Sequence, residues 1–263
     1  MPPTLVFCHS PFRKELAEIQ AYRQARGYHG VEWGLDGWRL MTARTRRRQL
    51  LDRLRAATPL CSVHAPYTDL EIGHRDAEHA AAAVRILLDY VDAAAELGAH
   101  HVNVHVGTFG PDPDELSRDT LLRNLVAVLE HARRRGVPLT VENLRGGPTS
   151  HPETFAALLR ETGAPVTLDL GHAAGCPWVL DRQGTVVEFI RAIPTPILAS
   201  HVYLIERDDV HFPPQVVGDL APAFDLLREK RRNFWVLELH SVEKLEQTRR
   251  VVDAYLQQCG KNP

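Results

Sequence analysis

Apolar residues recur along this chain in two alternating rhythms. Short runs of four to seven residues with period-two alternation are each followed by a longer stretch with helical periodicity. TLVFCHS precedes PFRKELAEIQAYRQARG, and GVEWG precedes, after a loop, RTRRRQLLDRLRAAT. LCSVHAP precedes the long run AAAAVRILLDYVDAAAELGA, which Gly98 closes in the helix-ending position. HVNVHVG leads to a helix expected to open at Asp112-Pro113-Asp114-Glu115, where an acidic N-cap, an N1 proline and a glutamate at the third position agree. PLTVENL follows Gly136, and Ser150-His151-Pro152-Glu153 opens its helix with a capping pattern. PVTLDLGH is followed by a shorter helix around Thr185–Ala192, ILASHV by a longer loop and APAFDLLREKRR, and FWVLELH by SVEKLEQTRRVVDAYLQQCG.

Eight such units, with no linker, low-complexity tract or composition break between them, predict an α/β fold. The expected architecture is a single (β/α)8 TIM barrel spanning residues 1–263 as one domain. The phase of the strands sharpens this. Side chains two apart share a strand face. Val102, Val104 and Val106 therefore oppose Asn103 and His105; Leu139 and Val141 oppose Thr140 and Glu142; Val166, Leu168 and Leu170 oppose Thr167 and Asp169. The apolar set meets the helices and the polar set points into the barrel. The residue two before each strand-end polar group is small (Ser62, Asn103, Thr140, Thr167, Ala199, Val236), leaving room at the mouth.

Six strands end in residues able to bind a metal: His64, His105, Glu142, Asp169, His201 and Glu238. In a barrel of parallel strands those ends converge at the C-terminal mouth, where such folds carry their sites. His172 lies three residues after Asp169, and Asp209-Val210-His211 forms a compact Asp-x-His pair in the loop after His201. The nine candidates exceed the four to six ligands of one ion. They predict a cluster of two or three divalent ions, or one ion with the remaining residues on substrate. His9 and Glu32 end the first two strands and read as either pocket wall or incidental surface. His100, His101, His131, His151 and His240 receive no role, and Asn143 reads as orienting its loop.

Composition narrows the partners. The 263 residues are 44% hydrophobic and 24% charged, with a formal net charge of −2. That balance offers no global electrostatic attraction for nucleic acid or an anionic membrane. Arg44–Arg48 and Arg133–Arg135 read as solvated helix faces, although Trp38 and Arg39 precede the first run on the mouth side. Cys8, Cys61, Cys176 and Cys259 form no CxxC pair and read as free, mostly buried thiols. With no signal peptide or spanning segment apparent, a cytoplasmic enzyme is expected.

SVHAPY, NVHVG, TVENL, TLDLGHA, SHV, DDVHFPP and LELH, in this order, resemble the xylose isomerase-like barrel superfamily, which includes sugar isomerases, epimerases and endonuclease IV. The isomerase resemblance implies one divalent ion (Mn, Zn, Co or Mg) on Glu142, Asp169, His201 and Glu238. It also implies Glu142 and Glu238 as acid and base through an enediolate, and His172 and Arg207 on oxygens of a sugar, sugar phosphate or polyol. The endonuclease IV resemblance implies three zinc ions on all nine positions, phosphodiester hydrolysis, and Tyr67 on the substrate-facing loop. The acidic and apolar Asp208-Asp209-Val210-His211-Phe212 would forfeit counterion release in a DNA groove. The sequence therefore favours a metal-dependent isomerase or epimerase, with the zinc phosphodiesterase as the alternative.

Overall fold

The protein is described from a computed structural model, covering residues 2–12, 15–35, 44–107, 115–230 and 234–261. Eight parallel strands close into a barrel: β1 (Thr4–Cys8), β2 (Gly30–Gly34), β3 (Cys61–His64), β4 (Val102–Val104), β5 (Leu139–Glu142), β6 (Val166–Asp169), β7 (Ile197–Val202) and β10 (Phe234–Leu237), which pairs back onto β1. The remaining strands, β8 (Ile205–Arg207) and β9 (Val210–Phe212), form an antiparallel hairpin outside the barrel. This is the expected (β/α)8 barrel.

The connecting helices are α1 (Leu16–Arg26), α2 (Arg44–Ala57), α3 (Ala77–Leu97), α4 (Arg118–Arg135), α5 (Pro152–Thr162), α6 (Leu170–Gly175), α7 (Pro177–Leu180), α8 (Val186–Ala192), α9 (Ala221–Glu229) and α10 (Val242–Lys261). Their ends follow from local chemistry. Asp76 caps α3 by accepting from the Glu78 and His79 amides, and Gly98 ends it in the left-handed conformation that glycine adopts without penalty. Thr185 and Glu188 form the capping box of α8. The fourth helix starts later than the sequence suggests. The Arg75 amide bonds the Glu115 carbonyl and the Ser117 amide bonds the Gly73 carbonyl, so Leu116 is held in a bridge to His74 and the extended Ser117 becomes the N-cap. Asp112–Asp114 lie outside the described residues, as do Trp38 and Arg39. Two short helices the sequence pattern did not suggest, α6 and α7, follow β6, with Asp169 itself capping α6 through the His172 amide.

The strand phase is as expected. Leu139, Val141, Val166 and Leu168 belong to the continuous apolar layer between barrel and helices. Thr140 Oγ1 and Thr167 Oγ1 meet inside the barrel at 2.7 Å, and Asn103 and Ser62 hydrogen-bond there to Glu142 and Glu32. Val6, Ala199, Phe234 and Val236 form a small separate apolar cluster. The barrel interior therefore carries polar groups toward the mouth and this small apolar cluster, while the larger apolar layer lies between strands and helices. Cys8, Cys61 and Cys176 are buried, and none of the four cysteines is bridged. Among the described residues no helix is long and apolar enough to cross a membrane.

Leu168 is fully buried on the helix side of β6. Leu168→Ala is expected to cost about 2–5 kcal/mol by loss of burial and creation of a cavity. Urea unfolding checks it; a change below about 1 kcal/mol would place that side chain elsewhere.

Candidate metal centre

Parallel register brings the strand ends together: Asp169 lies beside His201, which lies beside Val236, two residues before Glu238. The Glu142 carboxylate sits at the centre. Its Oε2 lies 3.3 Å from His105 Nε2 and 3.5 Å from both His64 Nε2 and His201 Nδ1. Its Oε1 lies 3.2 Å from His172 Nδ1. His201 Nδ1 also lies 2.9 Å from Glu238 Oε2 and 3.5 Å from Asp169 Oδ2. Three groups of potential ligands result: His64, His105 and Glu142; Glu142, Asp169, His201 and Glu238; and His172, Glu206 and His211. Glu142 is common to the first two.

The imidazoles are aimed by their other nitrogens. A carbonyl can only accept, so Nδ1 of His64 on Ala65 O (2.9 Å), of His172 on Asn143 O (3.0 Å) and of His211 on Glu238 O (2.7 Å) must each carry the proton. In the neutral ring this leaves Nε2 as a lone pair directed at the cluster. His201 stands against Glu32, whose Oε1 lies 3.0 Å from Nε2 in an ion-pair contact without aligned hydrogen-bond geometry. Tyr203 donates to Asp169 Oδ2 at 3.0 Å while stacking on His211 at 3.9 Å. That ring packs against Gly171 so closely that an added Cβ would lie 1.9 Å from Tyr203 Cε2. Asn143 bonds both the carbonyl and the amide of Asp169, the orienting role its position suggested.

The electrostatics call for cations. Glu32, Glu142, Asp169 and Glu206 are buried and Glu238 nearly so, while Arg145 is the sole Lys or Arg lining the cavity among the described residues. Uncompensated charges of this kind are costly to bury. Burial opposes the charge of His64, yet the hydrogen bond and charge of Glu142, helped by Glu238 and Glu32, raise its pKa to about 9. His172 and His201 are likewise raised against burial, by Asp169 and Glu142 and by Glu238, Glu142 and Glu32 respectively. Burial pulls His105 down, so it is a ready neutral ligand. Burial also works against ionised Glu142 and Glu238, but the His201 charge holds both carboxyls low, with His105 assisting at Glu142.

Divalent ions suit this cage. His105 Nε2 and His201 Nδ1 are buried and lack an aligned hydrogen-bond partner, although carboxylate oxygens approach within 2.9–3.5 Å. Ligand atoms around one ion at about 2.1 Å stand about 3.4 Å apart when tetrahedral. The contacts of 3.3–3.5 Å have the spacing of ligands around a shared cation, while His201 and Glu238 at 2.9 Å stand at ordinary hydrogen-bond distance.

The cavity above these groups measures about 580 Å³ and is also lined by Tyr67, Leu144, Arg145, Asp209 and His240. Tyr67 stacks on His105 with ring centroids 4.6 Å apart. Eight of the nine ligand candidates fall within the three groups. Asp209 does not: its side chain is 90% exposed and pairs with Arg145 at 2.7 Å. Asp208 and Asp209 both adopt positive φ in the two-residue hairpin turn, which breaks the spacing that would align Asp209 with His211. Glu206, opposite His211 in register, stands in the third group instead, 2.6 Å from His172 Nε2. Arg207, expected on substrate, is exposed and alternates away from Glu206, outside the cavity lining. Sequence reasoning missed Glu206 and Arg145 and left Glu32 undecided. The usable signal was the Asp-Asp turn between Ile205-Glu206-Arg207 and Val210-His211-Phe212, a hairpin pattern that pairs Glu206 with His211. His9 accepts the Gly34 amide, and His101 is fully buried beneath the site, its pKa pressed down to about 3 by desolvation. The arginine runs behave as paired surface: Arg47 meets Glu96 and Arg135 meets Asp92.

Residues 19–257 match the family described as xylose isomerase-like TIM barrel, and the chain belongs to that family. An uncharacterized protein of Methanocaldococcus jannaschii is 29% identical over 194 residues, covering 74% of this chain and 79% of the relative. The fold superimposes on a D-tagatose 3-epimerase-like protein with TM-score 0.78 and 18% identity, over 98% of each chain. It superimposes on endonuclease IV from Thermus thermophilus with TM-score 0.68 and 21% identity, over 97% of this chain and 100% of that one. These two likenesses are of fold.

Metal uptake must expel protons from His64, His172 and His201. Because these pKa values are raised, apparent affinity is expected to keep climbing with pH beyond the ordinary imidazole range, to about 9 for the proton on His64. Calorimetry in buffers of different ionisation enthalpy measures the release; uptake without protons over that range would contradict the charge arrangement. Glu32→Gln is expected to weaken metal binding about 10–100-fold by removing the charge beside His201, read by competition with a fluorescent chelator. Unchanged affinity would deny Glu32 that role.

Proposed function

We propose that this protein is a multinuclear metal-dependent hydrolase of phosphate esters, of the endonuclease IV kind in its ligand set. The carrying observation is that Glu142 belongs to two ligand groups at once, with a third group alongside. A proton-transferring isomerase with one ion needs the quartet alone. It would leave His64, His105, Glu206 and His211, which form ligand groups of their own with Glu142 and His172, to contact substrate alone. This reverses the order of the two functions favoured by the residues alone, because nitrogen aim and carboxylate sharing are visible only in space.

Divalent ions held by these groups supply charge for phosphoryl oxygens and make water a nucleophile at neutral pH. The chain's own residues do the rest. Glu142 ties the first two groups into one rigid unit, and Asn103 donates to it from beneath. The backbone carbonyls behind His64, His172 and His211 keep those rings in one tautomer. Tyr67 walls the mouth where an ester's organic group would lie. Glu206 and Asp209 make the rim acidic beside Arg145, which suits a compact ester better than a long polyanion.

A second reading keeps the metal-dependent isomerase or epimerase. Its support is that Glu142, Asp169, His201 and Glu238 are complete by themselves, with Glu142 and Glu238 both on His201. Glu142 and Glu238 would then be acid and base on a polyol or sugar phosphate.

Metal content and turnover of the purified protein separate the two. The proposal expects about three zinc ions per chain and chelator-sensitive hydrolysis of bis(p-nitrophenyl) phosphate, reduced about 100-fold or more by Glu142→Gln. One ion per chain, with exchange of a ketose α-proton into heavy water and no ester hydrolysis, would replace it with the isomerase.

A further inference from the structure

The β8–β9 hairpin carries two carboxylates that go to different places. Strand alternation and register turn Glu206 and His211 to one side, facing His172. Asp209 sits in the turn, where φ is 57° and that of Asp208 is 50°. Its exposed carboxylate reaches Arg145 Nη2 at 2.7 Å.

Arg145 lies three residues after Glu142, at the mouth of the cavity. Its Nη2 is also 3.3 Å from Glu206 Oε1, and its Nε is buried without a hydrogen-bond partner. The stem runs over Gly175, where an added Cβ would meet Arg145 Cγ at 3.3 Å and the Glu206 carbonyl oxygen at 2.8 Å. The missing side chain at 175 thus lets β5's loop and the hairpin close on each other with the guanidinium between them.

We infer a division of labour on this hairpin: Glu206 completes the metal-ligand group of His172 and His211, while Asp209 tethers Arg145 as the substrate's phosphate-binding residue. The second half rests on the phosphate-ester reading for its ligand class. A guanidinium presents a planar fork that matches two oxygens of one phosphate. Asp209 is 90% exposed, so its hold on the partly covered Arg145 is weak, and the Glu206 contact to the same nitrogen is longer at 3.3 Å, so a phosphate can displace Asp209 from the fork. A single arginine on an otherwise acidic rim selects one phosphate group rather than a run of them. The ligand the site fits is therefore a small ester, entered phosphate first.

The test uses the full zinc-loaded chain, with zinc counted by mass spectrometry after gel filtration and inorganic phosphate binding measured by calorimetry. Glu206→Gln is expected to hold one zinc fewer than the wild type, and Asp209→Asn the same number. Arg145→Gln should keep its zinc and bind phosphate about tenfold or more weakly, with Arg145→Lys in between because charge survives without the fork. Loss of a zinc in Asp209→Asn but not in Glu206→Gln overturns the ligand assignment, and undiminished phosphate affinity in Arg145→Gln overturns the anion role. A wild type holding one ion sinks the phosphate-ester reading and this inference together. Three ions in the wild type with the wrong pattern among the variants sinks this inference alone.

Discussion

Everything at the barrel mouth depends on one electrostatic constraint: carboxylates are buried there in excess of fixed cations. Glu32, Glu142, Asp169, Glu206 and Glu238 converge where the barrel closes, and Arg145 at the cavity mouth reaches Glu206 of the five, at 3.3 Å. A closed barrel cannot relieve this by swinging a strand outward, because each strand is paired on both edges. Compensation must come from protons on the imidazoles or from bound cations. The raised pKa values of His64, His172 and His201 are the proton solution to that demand. The convergent lone pairs are the metal solution. The same geometry serves both, so metal loading and protonation compete for one set of atoms.

Supporting this charge has shaped the layers beneath. Beside the small apolar cluster of Val6, Ala199, Phe234 and Val236, the barrel interior holds a polar column. Thr140 meets Thr167, Asn103 donates to Glu142, and Ser62 donates to Glu32, which stands against His201. A polar group buried without a partner costs more than a hydrogen bond returns, and these bonds satisfy much of the column while Glu32 Oε1 and both His201 nitrogens lack an aligned partner. The apolar contribution to stability lies instead between strands and helices, where Leu125, Leu168, Phe224 and Trp235 are fully buried. Stability and chemistry therefore occupy opposite faces of the same strands, separated by the two-residue period of the chain.

That separation explains what was legible in the sequence. The period of two shows which side chains face inward, and the eightfold βα rhythm shows that they face a common axis. His64, His105, Glu142, Asp169, His201 and Glu238 could thus be grouped without coordinates. Where the chain leaves the strands the period fails. Asp209 and His211 read as a chelating pair because they are two apart. The left-handed turn at Asp208 and Asp209 resets the alternation and sets Glu206, rather than Asp209, opposite His211. An Asp-Asp turn is a weaker hairpin signal than Asn-Gly, and the segment reads as a loop. Arg145 was invisible for a different reason: its place depends on the hairpin folding back over β5 and on the space left at Gly175. Glu32 was ambiguous because its partner, His201, lies far away along the chain.

The central claim is that Glu142 joins two cation sites. Anomalous diffraction at the zinc edge from crystals of the zinc-loaded protein tests it most directly. A pair of peaks is expected flanking the Glu142 carboxylate about 3.5–4 Å apart, the spacing of two-ion hydrolytic centres. A single peak among Glu142, Asp169, His201 and Glu238, with nothing beside His64 and His105, would contradict it.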